Sequence, residues 1–154
     1  MLSTDELAGF PLLARLTELQ LQAVAALATP TSVEAGSMLI EEGRTATKCW
    51  LIRTGQVALE IPLPNDRSRT VQTLGPGDVL GWSWLIEPHR WRFDGRALGP
   101  VTAFELDAVR LREIATEDPA LGYAIAVGLI ETLADRLHAT RARLIDLYGG
   151  PHGE

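Results

Sequence analysis

The sequence contains a single cysteine, Cys49, so it forms no disulfide within the chain and no four-cysteine zinc or iron–sulfur site. Long apolar runs are missing too: no stretch approaches the ~20 apolar residues of a membrane span. The start, Met1-Leu2-Ser3-Thr4-Asp5-Glu6, lacks the basic residues that open a secretory signal. Positive charge is in deficit. Fourteen lysines and arginines face twenty acidic residues, a net charge of −6, which argues against unaided binding to a phosphate backbone. There is no nucleophile–base–acid set, phosphate loop or metal-spaced cluster. The expectation is a non-catalytic cytoplasmic protein with no metal, no membrane contact and no direct contact with nucleic acid.

What is present fits one domain. The chain has 154 residues, 46% of them hydrophobic and 22% charged, the balance of an ordinary globular protein. Three regimes follow one another. Residues 3–29 read as helix, opened by Ser3/Thr4 before Asp5-Glu6, divided at Pro11 and ended by Pro30. Leu12, Leu13, Leu16, Leu19, Val24 and Leu27 recur there at helical spacing.

Residues 31–107 carry short β-branched or alternating runs punctuated by glycine. The strands predicted are Met38–Ile40, Cys49–Ile52, Gln56–Ile61, Thr70–Leu74, Arg96–Leu98 and Thr102–Leu106. Val57, Leu59 and Ile61 share one face of their strand, and Pro62-Leu63-Pro64-Asn65-Asp66 reads as a turn. Short strands with regular turns point to a small antiparallel barrel or sandwich.

After Asp107, which can cap a helix through Ile114, Asp118-Pro119 opens a long helix to Tyr148, where Gly149-Gly150-Pro151 stops it. That rod is about 46 Å long, more than a small barrel covers. Ile130, Leu133, Leu137, Thr140, Leu144 and Leu147 alternate by three and four along it, the register of a coiled-coil seam. The residues upstream, Tyr123–Ile130, are apolar nearly all round, as suits packing on the barrel. The expectation is a homodimer through residues 126–147.

The order of helix, glycine-punctuated strands, short helix and long helix resembles the cyclic-nucleotide-binding domain, closest to the sensor half of bacterial regulators of the cAMP-receptor type. Three segments carry the resemblance: Glu34-Ala35-Gly36-Ser37-Met38-Leu39-Ile40-Glu41-Glu42-Gly43, Trp50-Leu51-Ile52-Arg53-Thr54-Gly55-Gln56-Val57, and Gly75-Pro76-Gly77-Asp78-Val79-Leu80-Gly81. It implies an α+β fold, an antiparallel β-roll (31–107) flanked by N-terminal helices (1–30) and by C-terminal helices (108–148), with a tail at 149–154. It also implies a regulatory role and a cyclic nucleotide, or another small anionic ligand, in the roll. Members of the regulator type continue into a helix-turn-helix; here six residues follow Tyr148, so a stand-alone sensor without a DNA-binding domain is expected.

The ligand cassette departs from the family pattern. Nucleotide binders begin it Gly-Glu, the Glu holding the ribose hydroxyl, and carry an Arg that pairs with the phosphate. Here Gly81 is followed by Trp82, Ser83 and Trp84, and Arg90, Trp91, Arg92, Phe93 and Asp94 come later. Counting from Gly81 puts Arg92 on the phosphate arginine and Phe93 on the small hydroxyl position, whereas counting back from Arg96-Ala97 puts Trp91 on the arginine position, in a cassette one residue shorter; Arg92 is the first anion candidate and Arg90 the second. Losing a charged hydrogen bond of ~1.5–3 kcal/mol weakens a nucleotide roughly ten- to a hundredfold, and an indole in its place can fill the pocket. Ordinary cAMP binding is therefore not expected. Two readings stay open: an altered aromatic-walled pocket with one anion-pairing arginine, or indoles that pack the roll and arginines that stay outside. Asp94 can neutralise Arg92. On the long helix, Thr140 and Arg141 fall near the place where the family touches the base across the dimer. Cys49, His89 and His138 read as packing or solvent-facing residues rather than ligands. The functional expectation is a sensor or regulatory module read by a partner protein; a structural adaptor with a degenerate pocket and a cAMP or cGMP receptor are the alternatives.

Overall fold

The computed structural model describes residues 3–65 and 67–149; Asp66 in the expected turn, and Gly150, Pro151 and His152 in the tail, lie outside them. Ser3 caps helix α1 (Thr4–Ala8) by accepting a hydrogen bond from the Asp5 N–H at 3.2 Å. A single 3₁₀ turn, Pro11–Leu13, follows. Thr17 and Gln20 then close a reciprocal capping box on α2 (Glu18–Ala25). The helix expected to run to residue 29 ends at Ala25, because Ala28–Val33 forms strand β1. The β-branched Thr29, Thr31 and Val33 favour that strand. Pro30, expected to stop a helix, sits inside it; β1 is an edge strand, the place in a sheet where a proline's missing N–H is tolerated.

The remaining strands are β2 (Met38–Ile40), β3 (Lys48–Thr54), β4 (Val57–Leu63), β5 (Arg67–Leu74), β6 (Val79–Leu80), β7 (Asp94–Ala97) and β8 (Val101–Asp107). They pair as two antiparallel four-stranded sheets, β1-β8-β3-β6 and β2-β7-β4-β5, and so build the expected β-roll. Leu51, Ile52, Leu74, Leu80, Phe104 and Leu106 are fully buried, Phe104 against Phe10 of the N-terminal segment. β6 is only two residues long and was too short to be legible in the sequence.

One expectation about β4 needs correction, that of a turn beginning at Pro62. Along β4, Val57 and Leu59 are buried while Ile61, beyond the last residue that β7 pairs with, is partly exposed; the register shift beside Leu59 and Glu60 leaves its extra residue, Val71, on β5. Pro62 and Leu63, read as turn, pair with Ser68 and Arg67 as strand. β7 reaches only as far as Glu60, which leaves the other side of β4 open at Pro62, where no N–H is needed.

Asp107 caps α3 (Ala108–Glu117) through the Arg110 N–H at 3.0 Å. Asp118 caps α4 (Pro119–Gly149), its carboxylate accepting from the Leu121 N–H at 3.3 Å. The first half of α4 packs on the rest of the chain through Leu121, Ala124, Ile125 and Leu129. At Gly128 the helix backbone lies so close to the 3₁₀ turn that a Cβ would fall 2.4 Å from the Leu12 carbonyl oxygen. The second half projects. Ile130, Leu137, Leu144 and Leu147 are each about half exposed or more, and only Leu133 of the apolar seam positions packs against the core.

Candidate functional site

The turn Gly75-Pro76-Gly77-Asp78 is held by the Asp78 carboxylate, which accepts from the Gly75 N–H at 2.8 Å. It delivers β6 and then Gly81, whose φ of +98° turns the chain into the segment 82–93. Trp84 does not wall a pocket: it is fully buried, and its indole N–H donates to the Gly81 carbonyl at 3.2 Å. Arg112 of α3 ties the same loop by donating to the Trp84 carbonyl at 2.5 Å.

Trp91 turns inward. Its backbone is fixed on both sides, its N–H donating to the Arg44 carbonyl at 2.9 Å and its carbonyl accepting from the Gly43 N–H at 2.8 Å. The ring lies 6.2 Å from that of Trp50, which is itself held by Glu105 at 3.1 Å. It also lies across Gly81, so that a Cβ there would meet its six-membered ring at 2.7 Å.

The space left inside is a cavity of about 20 Å³ lined by Ile40, Leu59, Gly81, Trp82, Ser83, Trp91, Arg92, Phe93 and Arg136. Pockets for small organic ligands span ~300–1,000 Å³, whereas ~10–15 Å³ suffices for one water. This cavity as it stands has room for a single water-sized species.

Of the residues expected in the site, Gly81, Trp82, Ser83, Arg92 and Phe93 come together at this cavity. Arg90 does not line it; its guanidinium donates to the Gly43 carbonyl at 2.9 Å and braces the loop. Thr140 and Arg141 are exposed on α4, and the Thr140 hydroxyl donates to the Arg136 carbonyl of its own helix at 2.9 Å. Asp94 does not neutralise Arg92; it accepts from the Glu42 N–H at 2.8 Å. Arg92 is exposed, and among the described residues no ion pair forms on it.

Arg136 was not singled out in the sequence. It donates to the Val79 carbonyl and reaches the cavity from α4. Burial pulls its guanidinium below the ordinary arginine value, and the Asp78 carboxylate opposes that shift. Seven residues on, Arg143 donates to the Val71 carbonyl of β5 at 2.8 Å. One face of α4 is thus pinned to the roll by two arginines a heptad apart. The only sequence signal for them was their place, one residue before Leu137 and Leu144 in the seam.

A wider concavity lies elsewhere, an open groove of about 980 Å³ bounded by α1, α2, β1 and Arg53. Its polar groups answer one another: Arg53 makes two bonds to Glu6, at 2.7 and 3.1 Å, and stacks on Phe104, while Glu18 accepts from Thr4 and Gln22. Cys49 is fully buried, which pushes its thiol far above the ordinary value. Among the described residues no group of three or more His, Cys, Asp or Glu could hold a metal ion, and no helix is long and apolar enough to cross a membrane.

Comparison with known proteins agrees with this architecture. Residues 30–118, more than half the chain, match the family model for the cyclic nucleotide-binding domain. A solved structure from Geobacter metallireducens GS-15, described as a cyclic nucleotide-binding protein, is 30% identical, covers 90% of this chain and 100% of its own, and superposes with a TM-score of 0.82. The HTH-type transcriptional regulator Cmr of Mycobacterium tuberculosis is 29% identical over 131 residues, 83% of this chain and 52% of the regulator. Glutaminase 1 of Bradyrhizobium diazoefficiens is 30% identical over 141 residues, 92% of this chain and 22% of the enzyme. The chain spans about half the length of the curated regulators it matches.

Proposed function

The chain belongs to the cyclic nucleotide-binding domain family, and from that premise we propose that it is a non-catalytic regulatory module whose roll is closed by its own side chains. Its output is the pairing of α4 with a second copy, read by a partner protein. The observation that carries this reading is the cavity of about 20 Å³ where the family places its ligand. Trp91 is buried at the cavity; by the count from Gly81, Trp82 falls where the family's ribose carboxylate would be, and Arg92, which is exposed, falls where its phosphate arginine would be. A cyclic nucleotide would have to displace a buried indole and would find no carboxylate to hold its sugar.

Dimerisation draws support from α4. Its seam residues Ile130, Leu137, Leu144 and Leu147 recur at coiled-coil spacing and are left open by the single chain. Arg136 and Arg143 fix the helix on the roll, so the seam keeps one orientation. Matches to a transcription regulator and to a glutaminase suit a module that serves different outputs.

Sedimentation velocity across a dilution series, with and without millimolar cAMP or cGMP, tests the proposal. The expected result is a monomer–dimer equilibrium indifferent to nucleotide. A dimer that tightens when nucleotide is added would mean the roll opens to a ligand, and would overturn it.

A further inference from the structure

We infer that the β4–β5 hairpin makes a second dimer contact: as two copies pair along α4, each lays Ile61 and Leu63 against the last turns of the other's helix, at the partner's Tyr148 and the partner's Ile145. The inference rests on the α4 pairing proposed above and commits that pairing to a parallel arrangement.

Two apolar sets are left uncovered, and the α4 seam explains neither. On the hairpin, Ile61 and Leu63 are each 39% exposed. They continue the face of β4 that carries Val57 and Leu59, since alternate residues of a strand share a face. That face is turned toward α4, because Leu59 and Arg136 line the same cavity. On the helix, Ile145 is 66% and Tyr148 79% exposed. With Leu137 and Leu144 at position a and Thr140 and Leu147 at position d, Tyr148 falls at e and Ile145 at b, beside the seam rather than in it.

Heptad geometry brings the two sets together. Arg136 and Arg143 occupy position g, and Arg143 holds the hairpin by donating to the Val71 carbonyl of β5 at 2.8 Å. Position g of one helix lies next to position e of its neighbour in a parallel two-stranded pair. The side of α4 that carries the hairpin is therefore the side to which pairing delivers the partner's Tyr148, with the partner's Ile145 alongside. An antiparallel pair sets g against g and brings no e residue to that side. Opposite Ile61 and Leu63, on the same face, stand Arg69 and Arg67. Neither takes part in an ion pair among the described residues, and an arginine over a tyrosine ring is attractive. Leu59, two residues before Ile61, lines the cavity of the roll, so the contact joins the roll of one copy to the pairing helix of the other.

Cross-linking of the full chain tests the contact. The one native cysteine, Cys49, is buried, so introduced cysteines report alone. Leu63→Cys and Tyr148→Cys, on separately tagged chains that are mixed and treated with a short bismaleimide, should give a product carrying both tags. Leu147→Cys should link to itself, as position d does in a parallel pair. Linkage at Leu147→Cys without the mixed product would overturn the hairpin contact and leave the α4 pairing standing; failure of both would defeat the pairing and the contact with it. A link formed inside one dilute chain carrying both Leu63→Cys and Tyr148→Cys would mean that the hairpin covers its own helix, and would also overturn it. In sedimentation velocity, Ile61→Asp with Leu63→Asp should raise the dimer dissociation constant at least ~tenfold. An unchanged constant would overturn the contact as well.

Discussion

The ring of Trp91 lies against the backbone of Gly81, where a single added methyl group would come within 2.7 Å of the six-membered ring. The turn into the ligand cassette and the side chain that closes the roll are therefore one packing unit. Gly81→Ala strains the backbone at a φ of +98° and pushes the indole away. It should destabilise by at least ~1–3 kcal/mol. Trp91→Ala should cost ~3–5 kcal/mol, the loss for a large side chain in a packed core. Urea unfolding measures both. A near-zero cost for Trp91→Ala would mean the ring is a lid rather than core.

The seam on α4 gives a second expectation. Leu137 and Leu144 are about half exposed in the single chain, so Leu137→Glu and Leu144→Glu should leave monomer stability within ~0.5 kcal/mol. The same changes put like charges along a helix pair and should convert the protein to monomer in sedimentation velocity. A dimer that survives both would place the interface elsewhere.

Gly128 tests how α4 is seated. A Cβ there would be 2.4 Å from the Leu12 carbonyl oxygen, which is backbone and cannot rotate away. Gly128→Ala should force the 3₁₀ turn and the helix apart at ~1–3 kcal/mol, seen as a lower urea midpoint. An unchanged midpoint would show that the contact yields freely.

Cys49 is buried and its thiol is raised by desolvation. In the unfolded chain it ionises near pH 8.5; in the folded chain it stays neutral well above that. The stability that depends on it is complete below pH ~8.5 and declines above it, by up to ~1.4 kcal/mol per pH unit. Native protein should resist a thiol reagent at pH 8 and react on denaturation. Rapid labelling of folded protein would contradict the buried placement.

The sequence made the roll legible through residues whose local chemistry agrees with their place. The turn glycines, the continuous apolar run Cys49–Ile52 of β3 and the caps at Asp107 and Asp118 each speak for themselves. β1 was hidden because Ala28-Thr29-Pro30 continues an apolar helical rhythm, and only an edge position tells a strand proline from a helix stop. The exposure of Ile61 was not legible because it depends on where β7 stops pairing with β4, which the alternation of a single strand does not encode. In the cassette the substitutions at Trp82 and Phe93 were visible at once, but which indole enters the roll was not. That choice depends on Gly43 and Arg44, some fifty residues away, gripping the Trp91 backbone. Arg136 escaped notice because its role comes from the docking of α4, which no local pattern encodes.

The central claim is that the roll is closed to nucleotides by its own indoles. Isothermal titration of the full chain with cAMP, carried to millimolar concentration, tests it most directly. The account expects no heat beyond dilution. A saturating isotherm with one site per chain would show that Trp91 gives way to a ligand, and would contradict it.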